Sequence, residues 1–451
     1  MRKHKIKKRF SMRPMLTVFL GFLALILIGS FLLTLPVSNK NGEWLRFIDA
    51  LFTSASAVCV TGLTVRSTAV DFSAFGQVVL LLLIQVGGLG IMTLATLVFM
   101  LIGKRITLRD RVALQEALGQ DHIKGIVRLV RNIVIMTAVI ECAGAVLLLP
   151  FFCVKNGAIG IWQAVFVSVS AFCNAGFDIL GTASSPYASL TEFNGNAGVL
   201  LTVGALIILG GLGFTVINDI LNNKFRFGRY SLHTKIVLVA TLILILFGTL
   251  FFICSEYLSA AYDGLNFGQK LLNSIFQSVT ARTAGFNAID QNSMSQPGII
   301  LTCILMFIGA SPGGTGGGIK TTTFAVIVLM AFAGLRNREE ITVGKCNIKI
   351  KTGFRAVTIA TMSIILILVG ALVISATNGQ LDVNLIAFET ISAFATVGLS
   401  MGICPALSVG AKFMLILIMF VGRLGPLSIG MIFSKRDTLN IKYPSANIMI
   451  G

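Results

Sequence analysis

Four times along this chain a short apolar stretch stops at the same kind of turn: Val60-Thr61-Gly62-Leu63, Asn174-Ala175-Gly176-Phe177, Thr283-Ala284-Gly285-Phe286 and Thr396-Val397-Gly398-Leu399. The lead-in residues echo one another (SASAVCVTGL, SVSAFCNAGF, SVTARTAGF, TISAFATVGL), and the glycines fall 109 to 114 residues apart. A motif recurring at a fixed period is an internal repeat, and it constrains the fold before any local reading does.

The surroundings place these turns in lipid. The 451 residues are 55% hydrophobic and only 12% charged, with a mean hydropathy of +0.89, whereas a soluble domain carries about a quarter charged residues. Eight apolar runs, near 15–36, 76–102, 126–153, 197–221, 234–256, 297–332, 355–376 and 409–433, reach or approach the roughly 20 residues a membrane-spanning helix needs. The run from Met15 to Pro36 is too long for a signal-peptide core and reads as the first span. Between the members of each pair lies a stretch too short to cross: Trp44–Val58, Ile161–Phe172, Gly268–Thr280 and Val383–Phe394. The expected fold is an all-α polytopic membrane protein of four tandem, parallel repeats. Each repeat is a span (M1), a re-entrant pore helix and a second span (M2), and the four surround a pseudo-fourfold pore. The repeats are expected at 15–103, 125–221, 233–335 and 354–434, between a basic tail at 1–14 and a C-terminal tail at 435–451. A second echo marks M2: QVGGLGIM at 85–92, LGGLGFTV at 209–216 and VGRLGPLS at 421–428. Two spans per repeat keep all repeats the same way up, unlike inverted transporter repeats.

The net charge of +18 does not indicate nucleic acid. Most Lys and Arg sit in five blocks flanking spans: Arg2–Arg13, Lys104–Arg131, Lys224–Lys235, Arg336–Arg355 and Lys435–Lys442. That asymmetry puts both termini in the cytoplasm and supplies a basic face for membrane lipid headgroups or a cytoplasmic partner. The alternate loops carry Glu43, Asp49, Asp71, Asp178, Glu192, Asp263, Asp290 and Asp382, an arrangement that draws cations to the opposite face. The eight cysteines lie mostly in apolar stretches without metal-ligand spacing and read as buried thiols. Three scattered histidines form no catalytic constellation, so an enzyme is excluded.

Non-helical backbone at membrane depth survives only when buried in protein or lining water. Four glycine turns, one per quadrant, meet that condition together by turning carbonyls onto a common axis, where they replace a cation's hydration shell. Each short helix aims its C-terminal end inward, a partial negative charge of about 0.5 that favours a cation.

These units resemble the Trk/Ktr/HKT superfamily of K⁺ transporters, and most of all the membrane subunit of bacterial Ktr systems, over nearly the whole chain. The resemblance implies K⁺ transport in a bacterial plasma membrane, with no cofactor in this chain and Na⁺ as a candidate activating ion. It implies a homodimer, helped by Tyr443–Gly451, and a cytoplasmic ring of RCK-type nucleotide-binding regulatory subunits. The family's filter glycines map onto Gly62, Gly176, Gly285 and Gly398, which would hold K⁺. A serine at the first position accompanies Na⁺ transport in some plant relatives, so Gly62 points to K⁺. No turn carries the TVGYG of K⁺ channels; Thr396-Val397-Gly398-Leu399 comes nearest.

The third M2 departs from the pattern with GASPGGTGGGIKTTT at 309–323. Its glycines and proline oppose a regular helix. The spacing is not that of a phosphate-binding GxxxxGK[ST] loop, because Ile319 separates Gly318 from Lys320. By resemblance this is an intramembrane loop under the filter, and Gly313, Gly314, Thr315, Gly316, Gly317, Gly318 and Lys320 are gate candidates. Arg423, aligned with Gly88 and Gly211 of sister repeats, joins them. It is read either as a cationic barrier to ion exit or as a brace on loop carbonyls. Arg282 reads as a brace behind the third turn. Glu141 has no evident partner, and His233 is given no chemistry. The rival readings are a Na⁺ or mixed K⁺/Na⁺ transporter of the same architecture and a non-transport membrane scaffold.

Overall fold

The computed structural model describes residues 14–90, 93, 126–224, 226–338, 340–344 and 346–433. The expected N-terminal tail, most of the loop from Lys104 to Arg131, the C-terminal tail and the end of the first M2 lie outside these residues.

Among the described residues the protein is helical apart from one hairpin. Four helices among these residues are long and apolar enough to cross a membrane: α1 (Pro14–Thr34), α4 (Ile126–Asn156), α8 (Leu232–Glu256) and α12 (Ile350–Thr377). Their outward faces expose Leu20, Leu27, Leu246, Leu250, Leu368 and Leu372, which inverts the usual surface because the solvent there is hydrocarbon. Each long helix is followed by a short one: α2 (Phe47–Val58), α5 (Ile159–Phe172), α9 (Phe267–Thr280) and α13 (Val383–Ala395). At 12 to 14 residues these reach only about 20 Å.

A third helix completes each segment: α3 (Ala74–Leu89), α6 (Ala197–Leu212), α10 (Gln296–Phe307) and α14 (Val409–Leu424). All four start alike. Ser73, Asn196, Ser295 and Ser408 accept from the N–H three residues on, at 3.2–3.3 Å, satisfying an orphan donor of the first turn. Three of them also end alike, which differs from the expectation that the third alone is broken. Glycines with positive φ stop α3 at Gly90 (φ 83°), α6 at Gly213 (φ 94°) and α14 at Gly425 (φ 84°). After them α7 (Phe214–Asn222) leaves at 93° to α6, and α15 (Pro426–Phe433) begins on a proline. α10 gives way to a loop before α11 (Thr321–Leu335). A hairpin, β1 (Ile341–Val343) paired antiparallel with β2 (Cys346–Ile348), then leads into α12.

Packing runs in a circle. The third helix of each segment packs against the short helix of the next: α3 on α5, α6 on α9, α10 on α13, and α14 back on α2. The last seam is pinned by a buried ion pair, Lys412 Nζ to Asp49 Oδ1 at 2.9 Å, with Arg66 Nε 3.5 Å from Oδ2.

Candidate ion-conduction site

The four glycine turns meet at the centre of that circle. In each, the residue two before the glycine adopts a left-handed conformation: Val60 (φ 57°), Asn174 (56°), Thr283 (72°) and Thr396 (51°). The glycines are left-handed as well: Gly62 (91°), Gly176 (69°), Gly285 (77°) and Gly398 (96°). Left-handed backbone costs a non-glycine residue about 1–2 kcal/mol, a strain that concentrates where function needs it. The intervening Thr61, Ala175, Ala284 and Val397 keep negative φ.

The glycines are mutual neighbours. A Cβ built on Gly62 would lie 2.5 Å from the Ala175 carbonyl oxygen, and one on Gly176 would lie 2.8 Å from that of Ala284. One on Gly285 would overlap the Val397 oxygen, and one on Gly398 the Thr61 oxygen. The order 62, 176, 285, 398 closes on itself, so the carbonyls preceding the glycines form a ring with no room for a side chain. All four glycines open onto one cavity of about 180 Å³, walled also by Thr64, Asp178, Asn287, Asp290 and Ser400. Leu63, Phe177, Phe286 and Leu399 turn away into the apolar core.

Hydroxyls behind the ring fix it. The Gly62 and Gly398 N–H groups donate to Ser56 Oγ and Ser392 Oγ, each at 3.1 Å. The third turn is one residue shorter. There Thr280 Oγ1 donates to the Phe286 carbonyl at 2.8 Å. The short helices in turn rest on glycines of the long ones: a Cβ at Gly29, Gly144 or Gly248 would strike Ser54, Ser168 or Ser278 Oγ.

The second echo now has a physical reading. A Cβ at Gly87, Gly210 or Gly422 would overlap the carbonyl oxygen of Val58, Phe172 or Phe394, the last carbonyl region of the neighbouring short helix. The glycine three residues later breaks the helix. Thus the first glycine admits backbone and the second turns it.

In the third segment the loop 308–320 crosses beneath the ring. Gly316 and Gly317 abut Thr283 and Thr396, such that a Cβ on either would strike the threonine Oγ1. The loop is laced to the broken α6: Ser311 N–H to Gly211 O (2.9 Å), Thr315 N–H to Gly210 O (3.1 Å) and Phe214 N–H to Gly313 O (3.0 Å). Thr315 Oγ1 donates to Phe172 O at 3.1 Å. Gly313 and Gly318 have positive φ, and Gly314 packs on Gly210 and Gly211. Lys320 Nζ folds back onto the Gly316 carbonyl at 2.6 Å. The Arg423 guanidinium donates to the carbonyl oxygens of Thr315, Gly87 and Gly88, the last at 3.3 Å. It therefore joins α14, the loop and the end of α3. Arg282 lies off the ring, beside a small cavity it shares with Thr241 and Ala310.

The sequence pattern of the TrkH family, described as cation transport protein, matches residues 1–442. The chain belongs to the TrkH family. It is 40% identical to Ktr system potassium uptake protein B of Bacillus subtilis, with 100% of both chains covered. It is 39% identical to potassium/sodium uptake protein NtpJ of Enterococcus hirae, covering 100% of this chain and 99% of that one. The crystal structure of the potassium transporter TrkH from Vibrio parahaemolyticus superposes with a TM-score of 0.74 at 21% identity, covering 96% of this chain and 86% of the other. This TrkH-family chain is thus a helical, multi-pass membrane protein of a cation-transport family and not an enzyme.

Sequence reasoning missed several residues that surround the TrkH-family ring. Glu389, buried on α13, accepts from Ser400 Oγ (2.5 Å), the Met401 N–H (3.0 Å) and Cys404 Sγ (3.4 Å), holding the stretch after Gly398. Glu256 does similar work for the start of α10 through Ser295. Glu141 acquires a partner from the first segment, Gln85 Nε2 at 3.1 Å. Apolar runs interrupted by single acids were the available signal, but the partners lie 11 to 56 residues away in the sequence. Asn174 and Thr283 also meet across the ring's lower edge at 3.3 Å.

Proposed function

We propose that this chain carries K⁺ across the bacterial plasma membrane through a pore enclosed by four M1–pore helix–M2 repeats. The filter is made by residues 60–63, 174–177, 283–286 and 396–399. The observation that carries this reading is the cyclic approach of Gly62, Gly176, Gly285 and Gly398, each against the carbonyl before the next. Such a ring dehydrates a cation and replaces its water with carbonyl oxygen, while the ends of four short helices add negative potential. An acid-walled vestibule on one side raises local cation concentration. The loop 308–320 obstructs the other side. Arg423 and Lys320 hold it there, and regulation consists of releasing it. By the resemblance, the chain works as a homodimer beneath which an RCK-type nucleotide-binding ring pulls on the gate, with both termini cytoplasmic. No resident cofactor belongs to this scheme; K⁺ is cargo, and Na⁺ is a candidate activator.

A second reading, mixed K⁺/Na⁺ uptake, is favoured by the relative named as a potassium/sodium uptake protein and by the single specified glycine per quadrant. Rescue of growth at limiting K⁺ in an uptake-deficient host, with and without Na⁺, separates the two. Failure of K⁺ rescue alongside Na⁺ uptake overturns the K⁺ assignment. A soluble ring-forming protein that co-purifies supports the regulatory scheme, and a chain that purifies alone from its own cells counts against it.

A further inference from the structure

Away from the pore, a groove of about 340 Å³ opens between α8, α11 and α12. α11 packs on both α8 and α12, and the groove follows its first two turns. Its lining includes His233 and Arg355, both exposed, and Thr352. The wall is apolar: Ile236, Val326, Ile348 and Ile359. The lining also includes Thr322 and Thr323, two and three residues beyond Lys320, which bonds the loop carbonyl of Gly316. Among the described residues neither Arg355 nor His233 forms an ion pair.

The charge and the greasy wall call for an amphiphile of opposite sign. Arg355 closes the basic block that starts at Arg336, and Lys349 and Lys351 flank it on the same helix end. A guanidinium binds phosphate oxygens in a fork, and basic pockets between spanning helices on the cytoplasmic side take lipid headgroups. The volume is too small for a whole lipid but admits a headgroup and the upper part of one chain, with the remainder lying in the bilayer. We propose that this groove holds one anionic phospholipid, its phosphate on Arg355 and His233 and its acyl chain along Ile236, Val326 and Ile359. The bound chain fixes the first turns of α11, and through Lys320 it influences the loop. This proposal rests on the gating role only in that last step; occupancy itself does not depend on what the pore carries.

The test uses the full-length protein, delipidated in detergent and then titrated with phosphatidylglycerol or phosphatidylcholine while retained lipid is counted by native mass spectrometry. Wild type is expected to keep one phosphatidylglycerol per protomer in preference to phosphatidylcholine. Arg355→Gln should weaken that retention about fivefold, the effect of one interfacial cation. Val326→Trp, which fills the apolar wall and leaves the charges, should weaken it too. Retention unchanged in both variants, with wild-type elution profiles, overturns the site. So does a shift of Arg355→Gln from dimer to monomer with lipid unchanged, since the groove would then be covered by a second copy. If a variant does not fold, wild type is challenged with inorganic phosphate and with short-chain phosphatidylglycerol. Displacement by the amphiphile alone supports the proposal; displacement by phosphate alone, or by neither, refutes it.

Discussion

Replacing Arg423 by glutamine removes a guanidinium that touches three backbone carbonyls, one on the loop (Thr315) and two on α3 (Gly87 and Gly88). On the proposed gating scheme, the bond to the loop carbonyl of Thr315 is the one that breaks when the loop leaves the ring. A charge-assisted hydrogen bond contributes about 1.5–3 kcal/mol net. At about 1.4 kcal/mol per tenfold, its loss should shift the closed–open balance between about tenfold and a hundredfold. Rb⁺ uptake into proteoliposomes is expected to rise accordingly, up to the limit set by the fully open pore. Arg423→Lys separates a latch from a simple charge barrier. Lysine keeps the positive charge but lacks the planar fork that spans separate carbonyls. A latch therefore predicts that the lysine variant conducts like the glutamine variant, and a barrier predicts wild-type flux. Gly316→Ala tests the seating of the same loop against the ring, because the added Cβ would meet Thr283 Oγ1 and lie 2.8 Å from the Ala310 Cβ. Lower or unchanged flux in Arg423→Gln, with normal elution and melting, would refute the latch and make the guanidinium a brace of the conducting form.

Three further outcomes follow from the ring and its surroundings. Gly398→Ala places a side chain at φ 96° against the Thr61 carbonyl. It should cost at least about 1–2 kcal/mol in stability and lower the K⁺ over Na⁺ preference, read from competitive uptake; an unchanged preference would remove Gly398 from the filter. Burial raises the Asp178 carboxyl from 3.8 to about 6, with hydrogen bonds from the Leu180 N–H and Ser189 opposing. Its charge is therefore present above pH 6 and lost below, so uptake at limiting K⁺ should fall about two- to fivefold as vestibule-side pH drops through 6, and Asp178→Asn should abolish the step. The stability sign is opposite: with the folded value above the unfolded one, Asp178 favours the fold fully below pH 3.8 and loses that contribution as pH rises through about 6. Lys412→Met leaves the buried Asp49 with Arg66, 3.5 Å away, as its remaining cationic partner and should destabilise by up to about 3 kcal/mol, most of which the double variant Asp49→Asn/Lys412→Met recovers; additive losses in thermal melts would argue against the pair.

The long helices and the short ones are legible from apolar run length, because lipid demands about 20 residues of a span and tolerates little else. The glycine turns are legible from their period. The break at Gly213 is not, since the residues immediately beside it, Leu212 and Phe214, are as apolar as any helix interior, and the one at Gly425 is marked only by Pro426. What bends the chain at Gly213 is tertiary: the Gly313 carbonyl takes the Phe214 N–H, and Pro312 O lies 2.6 Å from where a Cβ would be. The echo Gly-x-x-Gly carried that information in the sequence, yet only the position of the neighbouring short helix reveals that its first glycine admits a carbonyl.

The inequality of the four segments is where function departs from symmetry. At the position of Gly88, which packs on Cys173, and of Gly211, which faces Asn174, the fourth segment has Arg423. A symmetric ring would leave glycine there and an open path below. The third segment, whose own helix is replaced by a loop, presents the one carbonyl that Arg423 reaches outside α3. The two departures thus form a matched pair: a loop rich enough in glycine to touch Thr283 and Thr396, and a cation long enough to hold it. Neither has a purpose alone. A loop without the arginine would lie under the ring with the lacing to α6 and Lys320's internal bond as its restraints. An arginine without the loop would leave a charge in the membrane bonded only to Gly87 and Gly88, too costly to keep without further partners. Their coexistence in segments 3 and 4 is the strongest structural support for the proposed closure of the pore by its own loop.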